Sequence, residues 1–118
     1  MENKIKCIIA CGDLHIRNLR RQDEYQKQLT KFIEHCKKIV SQYEKDEVRI
    51  VITGDILHNK LDISGEAYIL TSWFLKQLDK ISKTIVIAGN HDVNMSNLSR
   101  LDPLSTIFSL YKFKQVFY

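Results

Sequence analysis

Arg49-Ile50-Val51-Ile52-Thr53-Gly54-Asp55 (RIVITGD) decides how this chain is read: a short β-branched run stops abruptly at a glycine and a carboxylate. β-branched side chains crowd a helix but pack well on a pleated sheet, so Arg49 to Thr53 reads as a strand. The same design occurs twice more. Ile5 to Ala10 (IKCIIA) ends at Cys11-Gly12-Asp13, and Thr84 to Ala88 (TIVIA) ends at Gly89-Asn90. Near-continuous apolar runs of this kind are expected of strands buried on both faces, the habit of parallel sheets.

Two helical patterns separate the three runs. From Tyr25 the apolar positions Leu29, Phe32, Ile33, Cys36, Ile39, Val40 and Tyr43 advance in steps of three and four, which makes one stripe on a helix. Lys27, Lys31, Glu34, Lys38 and Gln42 fall opposite and are expected in solvent. Asp23 and Glu24 suit the positive end of the helix dipole. A second helix is expected from Ser64 as N-cap to about Ile81. Its apolar residues cover a wider arc, so it is expected to be the more buried. Strand, helix, strand, helix, strand implies right-handed crossovers and a parallel βαβαβ sheet with flanking helices, an α/β fold. Pro103 to Tyr111 reads as a short helix, and Val116 to Tyr118 as the start of another strand.

The 118 residues fit one domain, and 44% hydrophobic with 27% charged residues is ordinary for a globular chain. No apolar run approaches the roughly 20 residues of a membrane span. Three cysteines without zinc-ligand spacing read as reduced thiols, small and buried. Together with an N-terminus lacking a cleavage site, they predict a cytoplasmic home, the host cell of a phage or virus included. A net charge of +4 is compatible with a nucleic-acid substrate without identifying one.

Each predicted strand ends in ligand types: Asp13 with His15, Asp55 with His58, and Asn90 with His91 and Asp92. Singly, each has an ordinary explanation, because aspartate and Gly-Asn pairs are common in turns for local reasons. Jointly they carry more. In an open parallel sheet ligands bind beyond the carboxyl ends of the strands, and neighbouring strands lie only about 4.8 Å apart. Three such ends therefore direct Asp, Asn and His toward one small volume, a donor set suited to Mn, Fe or Zn. The chemistry that needs such a set is phosphate-ester hydrolysis. A phosphodiester repels hydroxide, and two divalent ions about 3.5–4 Å apart neutralise that charge and supply a nucleophile near neutral pH.

The series Asp13-Leu-His15, Gly54-Asp55-Ile-Leu-His58 and Gly89-Asn90-His91-Asp92 resembles the opening motifs of the calcineurin-like metallophosphoesterases. Within them, Gly12-Asp-Leu-His-Ile-Arg17 and Gly-Asp-x-x-His are most similar to the SbcD-type DNA-repair exonucleases and the phage recombination endonucleases. The resemblance runs over residues 5 to 105. It implies Asp13 and His15 as ligands of one metal, Asp55 as the bridge between two, and Asn90 as a ligand of the second. It further implies His91 facing the scissile phosphate, His58 in the active site, and Asp92 orienting His91. Two divalent ions are implied, Mn²⁺ foremost, with Mg²⁺, Fe²⁺ or Zn²⁺ as alternatives. The implied partners are DNA, an SbcC-type coiled-coil ATPase subunit and a second copy in a homodimer, with no membrane involved. Arg17, Arg20, Arg21 and Lys60 are candidate contacts to DNA phosphates, or simply solvated loop residues.

The family completes its site with Gly-His and Gly-His-x-His motifs farther along, whereas this chain's four histidines are His15, His35, His58 and His91. His35 reads as structural, on the border of the first helix's apolar stripe. The resulting expectation is the N-terminal half of a metallophosphoesterase four-layer sandwich: a fragment, a truncated product or one piece of a split protein. Two further readings stand beside a nuclease half-site. One is a phosphatase or cyclic-nucleotide phosphodiesterase acting on a small substrate. The other is a non-catalytic docking or dimerisation module.

Overall fold

The computed structural model describes residues 4–12, 14, 16, 22–44, 46–54, 56, 64–87 and 103–118. In chain order these form β1 (Cys7–Cys11), α1 (Gln22–Val40), β2 (Val48–Ile52), α2 (Gly65–Asp79), β3 (Lys83–Val86), α3 (Pro103–Leu110) and β4 (Val116–Phe117). The strands make one sheet in the order β1-β2-β3-β4. Every pairing is parallel, with Cys11 opposite Ile52, Ile52 opposite Val86, and Ile85 opposite Phe117. The α/β class and the parallel sheet with flanking helices are thus as the hydropathy pattern predicts.

Strand limits follow hydrogen bonding more closely than hydropathy. β1 starts two residues later than the apolar run, where Lys6 N and Cys7 N both donate to the Glu47 carbonyl at 2.8 and 3.2 Å. β3 ends at Val86, although Ile87 N still donates to the Ile52 carbonyl at 2.9 Å.

The first helix carries Asp23 and Glu24 in its first turn and Lys37 and Lys38 in its last, matching the dipole at both ends. It closes at Val40 rather than Tyr43, because Gln42 N and Tyr43 N turn back to the carbonyls three residues earlier. Leu29, Ile33 and Cys36 are buried, while Lys27, Lys31, Glu34 and Lys38 are exposed, as the stripe requires. His35 corrects the sequence reading. It is exposed with the lysines and takes no part in the core.

Ser64 caps the second helix from an extended backbone (φ −68°, ψ 153°), its Oγ accepting Ala67 N at 3.2 Å. α2 is the more buried helix, with Ala67, Leu70, Phe74, Leu75 and Leu78 inside. Its Phe74 ring lies 6.0 Å from that of Phe32 on α1, joining the two helices. Asp79, at its end, accepts Gln115 N through Oδ1 at 2.7 Å and Gln115 Nε2 through its carbonyl at 2.6 Å, which fixes the approach to β4.

The expectation of strands buried on both faces is overturned. Val48, Ile50, Ile52, Val86 and Val116 face the helices and are buried, but Ile8 is 62%, Ile85 43%, Ile87 50% and Phe117 55% exposed on the other face. The reason is topological. When consecutive parallel strands are added in one direction, right-handed crossovers place every connecting helix on the same side. An apolar run does not record which of its faces a helix covers.

At the end of the sheet where β1 and β2 begin, Glu47 joins the two strands. It is 7% exposed, its Oε2 lies 2.8 Å from Lys6 Nζ, and its Oε1 accepts Glu44 N at 2.7 Å. The Lys6 ammonium, then the Glu44 amide, hold its carboxyl below the ordinary 4.5. A depressed carboxylate stabilises the fold above its unfolded value, and that contribution disappears as pH falls through the folded one. We therefore expect urea-unfolding stability to drop as pH falls below 4.5, and Glu47→Gln to be less stable at neutral pH with a flatter acid profile. An unchanged profile in Glu47→Gln would remove Glu47 from this role.

Candidate metal centre

The carboxyl ends of β1, β2 and β3 lie side by side because all three strands run parallel and in close register. Three backbone hydrogen bonds continue the ladder past the strands. Thr53 N donates to the Cys11 carbonyl at 2.8 Å, Ile87 N to the Ile52 carbonyl at 2.9 Å, and Ile16 N to the Ile56 carbonyl at 2.7 Å. Ile16 and Ile56 are both buried in the core, so the segments leaving β1 and β2 are fastened to each other and to the interior beneath them.

Two glycines shape these exits. Gly54 is buried with φ 105°, a backbone region where an L side chain is strained. Gly12 lies so close to Thr53 that a Cβ there would occupy the place of the Thr53 hydroxyl. That hydroxyl donates to the Cys11 carbonyl at 3.3 Å, adding a second bond to the one from its own amide.

The residues singled out in the sequence stand next to this framework in the chain. Asp13 and His15 alternate with the described Gly12, Leu14 and Ile16, and Asp55 falls between Gly54 and Ile56. Asp13, His15, Asp55, His58, Asn90, His91, Asp92, Arg17, Arg20, Arg21 and Lys60 themselves lie outside the described residues. Among the described residues no group of three or more His, Cys, Asp or Glu comes together. Nor is any described helix long and apolar enough to cross a membrane. A cavity of about 290 Å³ lined by Tyr43, Asp46, Lys80, Lys83 and Gln115 lies at the opposite end of the strands. It is separate from the exits that lead to the ligand types.

Burial raises the Cys11 thiol above its ordinary 9.0, and burial, then the neighbouring Cys11, pushes Cys36 up to about 11. The oxygen and imidazole donor types of Asp13, His15, Asp55 and Asn90 fit a divalent ion of the Mn, Fe, Zn or Mg kind.

The calcineurin-like phosphoesterase family pattern matches residues 8–117, nearly the full chain. The chain belongs to that family. Calcineurin-like phosphoesterases hydrolyse phosphate esters with divalent metal ions. The chain is also similar to uncharacterized protein R555 of Acanthamoeba polyphaga mimivirus, at 43% identity over 118 residues. That alignment covers 99% of this chain and 8% of the viral protein, so the chain spans less than a tenth of that relative's length.

The sequence alone points to Asp13, His15, Asp55 and Asn90 as candidate ligands, and the structure adds Thr53, Ile16 and Ile56 beside them in the chain. Their signal was present: an apolar residue directly after Asp-Leu-His and another directly after Gly-Asp, with a β-branched hydroxyl before the glycine. Gly54→Ala is expected to lower urea-unfolding stability by about 1–3 kcal/mol, the cost of a forced positive φ. Gly65→Ala, where nothing lies within 4 Å of the added Cβ, is the matched control and is expected to be neutral or slightly stabilising. Equal effects at the two positions would show that the Gly54 conformation is not imposed.

Proposed function

We propose that this calcineurin-like phosphoesterase chain supplies the first part of a two-metal site that cleaves phosphodiester bonds in DNA, in repair or recombination. The observation that carries the reading is the fastening of the β1 and β2 exits, by Cys11–Thr53 and Ile16–Ile56, on either side of the sequence positions of Asp13, His15 and Asp55. Asp13, His15, Asp55 and Asn90 would hold the divalent ions, Mn²⁺ foremost, which when bound would supply charge neutralisation and a nucleophile near neutral pH, Asn90 adding an oxygen donor without adding charge. His91 would stabilise or protonate the leaving oxygen, Asp92 would orient its ring, and His58 would belong to the same site. Arg17, Arg20, Arg21 and Lys60 would contact backbone phosphates, which would fix register on DNA without reading sequence.

Support for DNA over a small phosphate ester comes from the basic residues clustered after the first two motifs and from the likeness of Gly12 to Arg17 to the exonuclease branch. A complete two-metal centre requires more imidazole donors than this chain holds, so the unit is read as the N-terminal portion of a nuclease domain. In that setting an SbcC-type ATPase subunit, a homodimer and the cytoplasm of an infected cell are the partners and place we propose. A docking or dimerisation role is the second reading, favoured by the uncovered apolar face at Ile8, Ile85, Ile87 and Phe117.

Calorimetric titration tests the ligand set: Mn²⁺ binds the wild-type chain weakly, Asp55→Ala abolishes binding, and Asn90→Ala weakens it less. Undiminished affinity in Asp55→Ala would refute the assignment. For the substrate, we expect Mn²⁺-dependent cleavage of a DNA oligonucleotide once the remaining histidine donors are supplied by a joined segment, and its loss in His91→Ala. Cleavage confined to a small phosphate monoester under those conditions would replace the nuclease reading with the phosphatase one.

A further inference from the structure

We propose that Thr53 is a positioning residue for the metal centre, its hydroxyl holding the strand exit that leads to Asp13 at a fixed spacing from the exit that leads to Asp55. The inference rests on the reading of those two aspartates as ligands. Cys11, the last residue of β1, offers a carbonyl with two lone pairs, and Thr53 engages it twice, through N at 2.8 Å and Oγ1 at 3.3 Å. The amide bond is the ordinary continuation of the parallel ladder. The hydroxyl bond is not, and burial does not require it, because Thr53 is exposed and water would satisfy Oγ1 equally well.

Gly12 supplies the second half of the device. Its missing Cβ is the space that the Thr53 hydroxyl fills, so the residue before Asp13 and the residue two before Asp55 interlock. Immediately after this point Gly54 turns through φ 105°, and Ile56 accepts from Ile16 at 2.7 Å. The segments bearing Asp13 and Asp55 in the sequence are thus tied before and after those residues, with the Thr53 hydroxyl as the side-chain tie. Carboxylates that share a metal tolerate displacement of only about 0.5 Å before geometry fails. Fixing the spacing of two strand exits is how backbone far from the metal sets ligand geometry at it.

The test measures Mn²⁺ affinity by calorimetry on the full 118-residue chain, with thermal unfolding recorded on each variant. Thr53→Val keeps the shape and strand preference and removes the donor. Affinity is expected to fall about tenfold, the usual scale for residues that orient ligands without touching the metal, at an unchanged Tm. Thr53→Ser keeps the hydroxyl and is expected to restore affinity. Gly12→Ala, which displaces that hydroxyl, should repeat the Thr53→Val loss, and it keeps the proposal testable if the valine variant folds poorly. Wild-type affinity in Thr53→Val, while Asp55→Ala abolishes binding, overturns the proposal and leaves the ligand reading intact. Loss in Thr53→Val without rescue by Thr53→Ser also overturns it, because the effect would then not belong to the hydroxyl. Undiminished affinity in Asp55→Ala, or no Mn²⁺ binding by the wild type, overturns both.

Discussion

Parallel pairing of β1, β2 and β3 in close register is the constraint from which the rest of this structure follows. Parallel neighbours need a crossover to return the chain to the starting end, and the right-handed crossover places α1 and α2 on one face. Ile50, Ile52 and Val86 thereby meet Ile33, Cys36, Phe74 and Leu78 in a single core. The same constraint gathers the three carboxyl ends at one edge, where backbone amides and carbonyls have run out of ladder partners. Thr53, Ile87 and Ile16 close those remaining bonds across strand exits. The candidate site and the one-sided core are two outcomes of one topology.

Most of the fold was legible because it is written in local chemistry. The stripe from Leu29 to Tyr43, the Ser64 cap and the β-branched runs each state an element with its own physical reason, and each element forms with its limits shifted by one to three residues where backbone hydrogen bonding overrides hydropathy. What misled was the inference from an apolar run to burial on both faces. Hydropathy gives the character of Ile8 and Ile85 but not the location of a covering helix, which depends on crossover hand and strand order together. His35 failed for a related reason: at the border of a stripe, one residue's rotation about the helix separates core from solvent, and sequence spacing does not resolve it. The site divides in the same way. Ligand types are visible as letters, but the tie between Cys11 and Thr53 joins residues 42 apart and has no sequence signature until the strands are paired.

The two ends of the sheet are stabilised by different physics. Where β1 and β2 begin, a nearly buried carboxylate, Glu47, takes a lysine and a backbone amide, so charge and hydrogen bonding are satisfied locally. Nearby, Asp46 adopts φ 69°, a conformation aspartate tolerates better than most residues, while its carbonyl accepts from Arg49 Nη1 at 2.9 Å. Where the strands end, no described ion pair performs that task. Order there comes from apolar anchoring by Ile16 and Ile56, from glycines that permit close approach, and from backbone bonds.

Solvent exposure sharpens the point. Thr53 is exposed and Ile87 half-exposed, so water reaches the strand exits from the uncovered face of the sheet. In such surroundings the effective dielectric is high, and charges more than about 8 Å away are screened at physiological salt. The helices pack on the other face. On the metal-site reading proposed above, affinity would come from direct donor atoms and from how firmly the backbone presents them, which is where the close approach at Gly12, the Thr53 hydrogen bonds and the Gly54 turn would act. A layer packed over Ile8, Ile85 and Ile87 would exclude that water and strengthen each donor without altering one of them. The uncovered apolar face and the strength of the site are, in electrostatic terms, the same question.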